Sequence, residues 1–156
     1  MYLTGLNIIN KRARQKSFLS LANQIITIIL AAVLIFSGIN KTIAPLSLIE
    51  SLSIVFKFFP KDLLLIVATV LPLIEIILGT ALIFSLYKES LSKYKKIINL
   101  SAVVLFGLFF VYGIYGNIIG LKNDCGCFGN SLKSDFNTNM VTRNSFLFLA
   151  TVFVIS

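Results

Sequence analysis

Apolar residues run through this chain in long blocks, and polar residues gather between them. Three blocks stand out, over residues 18–38, 63–87 and 97–121. At about 1.5 Å of rise per residue, some twenty residues cross a hydrocarbon core of about 30 Å. Each block therefore predicts a membrane-spanning helix. A fourth block, 140–156, is shorter and reaches span length only if it starts near Met140 with Arg143 snorkelling to the interface. The pattern predicts an all-α, integral membrane four-helix bundle. Residues 1–17 form a basic segment with Lys11, Arg12, Arg14 and Lys16, and residues 18–156 the membrane domain. A basic start before an apolar block is also how a signal peptide begins. This block is too long for that, and no A-x-A pattern follows it, so it is read as an uncleaved helix.

The polar connections carry their own signals. Asn40, Lys41 and Pro45 are expected to end the first helix. Between them and the second span, Leu48, Ile49, Leu52, Val55, Phe56 and Phe59 recur at the spacing of one helix face. With Glu50, Lys57 and Lys61 alongside, this stretch reads as a short helix lying in the membrane interface. The second span holds Pro72, which removes a backbone donor and is expected to kink it. In the third, Gly107, Gly113, Gly116 and Gly120 either let helices approach closely or are chance glycines.

Composition supports a bilayer as solvent. Hydrophobic residues make up 57% of the chain and charged ones 13%, and the mean hydropathy is +0.93. Soluble domains are roughly a quarter charged. The net charge of +8 sits in the connections, so it speaks for topology and phospholipid contact, not for nucleic acid. The denser basic clusters are the amino-terminal segment and Lys88, Lys93, Lys95 and Lys96. With four spans, both fall on one side. The positive-inside rule then puts both termini in the cytoplasm of a multi-pass cell-membrane protein, and the 122–144 connection outside. Three spans would move the carboxyl terminus outside.

That connection contains Cys125-Gly126-Cys127, the sharpest chemical feature of the chain. Two thiols this close can close a small disulfide ring whose strain makes it readily reduced, and an extracytoplasmic disulfide persists. Lys122 favours a thiolate and Asp124 opposes it. A redox pair is one reading and a static loop disulfide another, though so short a loop gains little entropy from closure. Two thiolates in a chain with no His leave a zinc site half filled, so no metal is expected. Glu75 lies near mid-span, where an ionisable residue is costly and faces the bundle interior. It reads as a proton relay, a polar contact to a quinone headgroup, or a protonated carboxyl bonded to a neighbouring helix or to backbone freed by Pro72. Lys41 is read as an interfacial anchor in preference to a partner for a carboxylate.

Several segments together resemble the MauE/DoxX family of redox-associated membrane proteins. Phe36-Ser37-Gly38-Ile39-Asn40-Lys41 with Pro45 is similar to its opening pattern, and Leu71-Pro72-Leu73-Ile74-Glu75 with Gly79 to its Pro-Glu-Gly helix. Cys125-Gly126-Cys127-Phe128-Gly129 resembles the MauE branch, and Arg143-Asn144 also fits. The resemblance implies four membrane helices and a link to methylamine utilisation, in maturation of the disulfide-rich small subunit of methylamine dehydrogenase. DoxX relatives are linked to quinone-coupled oxidation. The expected function is thiol–disulfide exchange through Cys125 and Cys127 with an extracytoplasmic thioredoxin-like or cysteine-rich partner. Glu75 would aid proton or quinone handling. With only one cysteine pair, a separate thiol protein must supply or receive the electrons. The alternatives are a non-catalytic assembly factor with a structural loop disulfide and, last, a transporter subunit using Glu75 as a proton site.

Overall fold

The computed structural model describes residues 2–87, 93–119 and 138–155, with side chains from residue 18 onward except at 47 and 138. The described residues are all-α, in five helices: α1 (Tyr2–Ile43), α2 (Pro45–Val55), α3 (Lys61–Tyr87), α4 (Lys95–Ile118) and α5 (Thr138–Ile155). Three are long and apolar enough to cross a membrane, with α1 contributing Phe18–Ile43. The 18-residue α5 is a shorter apolar helix.

The first helix differs from expectation at both ends. Its backbone is helical from Tyr2, through the basic segment. It also continues past Asn40 and Lys41, the residues expected to end it. Both polar side chains are satisfied within the structure. Asn40 Nδ2 donates to the Phe36 carbonyl at 2.8 Å, and Lys41 pairs with a carboxylate on another helix. The break falls at Ala44, whose backbone is non-helical (φ −129°, ψ 72°) because Pro45 follows it. Pro45 then opens α2, where its missing N–H costs nothing.

Helices α1 and α3 lie against each other along their length. They are antiparallel: Gly38 faces Pro72 and Ile76, while Gly79 faces Ala31 and Ile35. A Cβ at Gly38 would sit 2.8 Å from the Pro72 carbonyl oxygen, and one at Gly79 would sit 2.9 Å from that of Ala31. Backbone so close to backbone leaves no room for a side chain, so glycine at these two positions sets the approach. Helices α4 and α5 form a second antiparallel pair, in which Asn144 Nδ2 donates to the Phe109 carbonyl at 3.3 Å. Leu30, Leu34, Leu82, Leu105 and Phe106 join the two pairs in a common core.

Of the stretch read as interfacial, Pro45–Val55 forms α2 and its Leu48 and Leu52 are covered, whereas Phe56 and Phe59 lie beyond the helix and are exposed. Leu48 and Leu52 pack on Leu64 and Ala68 of α3, with Tyr112 of α4 against the same cluster. The outward faces of the long helices are apolar too: Phe18, Ile25, Ile77, Ile97 and Leu108 are exposed. A water-facing protein does not tolerate so continuous an apolar surface, whereas lipid does.

Candidate functional site

The pairings define two ends of the molecule. At one end, Thr27, Leu82, Asn99 and Thr151 line a small space between α1, α3, α4 and α5. At the other lie Lys41, Leu64, Tyr112 and Met140, and α2 packs there. Cys125 and Cys127 lie outside the described residues. The segment that carries them leaves α4 after Ile119 and enters α5 at Thr138, so both its attachments are at the α2 end. Ile119 lines a groove there with Ile54, Val55 and Lys57.

Inside the same end is a buried ion pair. Lys41 Nζ donates to Glu75 Oε1. Lys41 is 2% exposed and Glu75 wholly buried. Glu75 is about 21 Å along α3 from Lys61, near the middle of that 27-residue helix. Three features let two charges persist there. The pair is neutral as a unit. The ammonium lies 4.4 Å from the centroid of the Phe109 ring, whose negative face attracts it. The Ser37 hydroxyl, one turn before Lys41, lies near the carboxylate. Lys41 is thus a carboxylate partner, which corrects its reading as an interfacial anchor: α1 extends far enough to carry it below the interface, beside α3.

A cavity of about 230 Å³ lies above the pair, between α2, α3 and α4. Its walls are Leu48, Leu52 and Phe56 from α2 and the turn after it, Val67 and Leu71 from α3, and Leu105, Phe109 and Tyr112 from α4. Among the described residues Lys41 is the one charged residue that lines it, and Glu75 is not part of the wall. The cavity borders lipid at Val67 and Leu108, which are 38% and 60% exposed. A second, much smaller space of about 20 Å³ adjoins Lys41, Ser37 and Asn144.

The sequence singled out Glu75 but not the residues that surround it in space. Ser37 and Lys41 stood in the opening pattern with no role tied to Glu75, and Phe109, whose ring faces Lys41, carries no local motif. The available signal was the intramembrane lysine: a single carboxylate and a single lysine deep in neighbouring helices are expected to meet.

Comparison with protein families finds a match to the family described as "Methylamine utilisation protein MauE" over residues 18–156. Comparison with curated proteins and with solved structures finds no match.

Proposed function

The chain belongs to the MauE family, and from that membership we propose that it is a membrane-embedded thiol–disulfide redox helper, working through Cys125 and Cys127. The observation that carries this reading is that the family match spans residues 18–156, a range that includes the membrane helices and the Cys-Gly-Cys segment. The partner is an extracytoplasmic thioredoxin-like or cysteine-rich protein. One partner thiolate attacks the Cys125–Cys127 disulfide, forming a mixed disulfide and releasing one thiolate of this chain. The partner's second thiolate then displaces the other. The partner leaves with an S–S bond, and this chain holds two thiols. Relative reduction potentials set the direction of the exchange. The family's description ties it to methylamine utilisation, which makes the disulfide-rich small subunit of methylamine dehydrogenase the partner to test first.

In this reading α1, α3, α4 and α5 are four spans, with both termini in the cytoplasm and the cysteines outside. Helix α5 supports a span by lying along α4; its 18 residues reach about 27 Å. Helix α2 sits at the extracytoplasmic interface, its apolar face docked on α3.

The experiment is a Cys125→Ser/Cys127→Ser variant in cells that contain the partner. Its partner should accumulate in the wrong thiol state, and each single variant should trap mixed disulfide or lose exchange. Normal partner oxidation in the double variant would leave the chain a scaffold.

A further inference from the structure

We propose that the seam between α2 and α4 is the binding site of an anionic phospholipid, of the phosphatidylglycerol type, with an acyl chain in the cavity and its phosphate at Lys57. Two spaces make up the seam. The inner one is the cavity of about 230 Å³ between α2, α3 and α4. The outer one is the groove of about 250 Å³ that holds Lys57, Phe58, Tyr115 and Ile119. They follow one another along both walls. Phe56 lines the inner space, and its neighbours Val55 and Lys57 line the outer one. On α4, Leu105, Leu108 and Tyr112 line the inner space, and Tyr115 and Ile119 continue the same helix face outward.

The two ends of the seam differ as the two ends of a lipid do. The inner wall is almost wholly apolar. Lys41 belongs to it, but its ammonium is held by Glu75 and lies over the Phe109 ring, so a chain beside it meets mainly its methylene stem. The space opens to lipid at Val67 and Leu108. Since a cavity of roughly 150 Å³ admits a benzene ring, this one holds about nine carbons of a chain. The outer end carries charge. Lys57 is exposed there, and Tyr115 adds a hydroxyl that can donate. Phe58 and Phe59 are exposed next to Lys57, the apolar and basic mixture of a segment that lies in the interface. From Tyr115 inward to Leu105 is about 15 Å of helix, half of a hydrocarbon core of about 30 Å. A lipid with its phosphate at Lys57 therefore reaches the floor of the cavity with its chain.

Charge selects the headgroup. Phosphate pairs with Lys57 in any phospholipid, but phosphatidylethanolamine would bring its ammonium beside that lysine. Among the described residues no carboxylate lines the groove to receive it. The glycerol of phosphatidylglycerol brings only hydroxyls. The binding does not depend on whether the cysteines exchange electrons.

The test places the full chain in nanodiscs of equal phosphatidylglycerol and phosphatidylethanolamine, and native mass spectrometry counts the phospholipids that stay bound on release. The parent should keep a single phosphatidylglycerol. Val67→Trp, which puts an indole at the lipid-facing mouth of the cavity, should lower that retention about tenfold. Lys57→Gln leaves the cavity intact and should cut the preference for phosphatidylglycerol about fivefold. Ile77→Trp, on an exposed face of α3 away from the seam, and Lys95→Gln, at the opposite end of α4, should each match the parent. A parent that keeps no phospholipid, equal retention by Val67→Trp, or an unchanged headgroup preference in Lys57→Gln would overturn the proposal. So would a retained molecule that contains no phosphate.

Discussion

Removing Lys41 alone should damage this protein more than removing both members of its ion pair. Lys41→Met leaves the Glu75 carboxylate wholly buried with no cation beside it. Breaking a buried pair in this way costs about 3–5 kcal/mol. The reverse change, Glu75→Leu, leaves an ammonium, but that ammonium keeps the Phe109 ring at 4.4 Å. A desolvated cation–π contact returns about 2 kcal/mol, so this variant should lose only about 1–3 kcal/mol. The double variant removes both desolvation penalties and should lie near the parent, since an apolar replacement of a buried pair is often neutral or stabilising. For a chain of this size 1 kcal/mol moves the melting temperature by about 2–4 °C. Lys41→Met should therefore melt about 6–20 °C below the parent, Glu75→Leu about 2–12 °C below, and the double variant within a few degrees. The assay is the fraction of protein left monodisperse after stepwise heating in nanodiscs. If the two single losses simply add up to that of the double variant, the two residues do not interact and the buried pair is refuted.

Other changes test the packing and the topology. Gly79→Val forces a side chain against the Ala31 carbonyl oxygen, 2.9 Å from the Cβ position. It should cost about 1–3 kcal/mol of overpacking in the same heating assay. Gly107→Ala, whose Cβ would lie 3.3 Å from the edge of the Phe148 ring and not against backbone, should cost less than Gly79→Val, under about 1 kcal/mol. Asn144→Leu removes the bond to the Phe109 carbonyl. The loss should be about 0.6–1.7 kcal/mol, the range of interhelical hydrogen bonds in lipid. A membrane-impermeant maleimide added to intact cells should label Cys125 and Cys127 only after reduction. Labelling that requires permeabilisation would invert the orientation.

The membrane helices were legible because each is a long apolar block, and block length is a local property. The end of α1 was not. Asn40 and Lys41 look like helix terminators when read along the chain, and their partners, the Phe36 carbonyl and Glu75, are seen only once the helix is built and packed. The face of α2 was visible in the spacing of Leu48 and Leu52, but not the α3 and α4 residues that cover it. Gly79 could be placed by resemblance, yet its reason, an Ala31 carbonyl on another helix, is tertiary. The cavity left no trace in the sequence, because its walls come from three helices and share no period. The cysteine pair is the opposite case, plain in the sequence but outside the described residues.

The ion pair raises a question that stability does not answer. An apolar pair in its place would hold the fold as well, and two charges in the hydrocarbon are costly to place. What the pair supplies is a hydrogen-bond donor deep in an apolar space, at no net charge, and of the two partners Lys41 is the one that lines the cavity. Exchanging the two residues separates these roles. Lys41→Glu/Glu75→Lys keeps one positive and one negative charge in the same place but gives up the cation–π contact with Phe109, worth about 2 kcal/mol, so it should melt about 4–8 °C below the parent. At the cavity wall, however, it sets an acceptor where the donor was. A larger loss would show that the direction of the pair, with the ammonium toward Phe109 and the cavity, matters to the fold beyond that one contact.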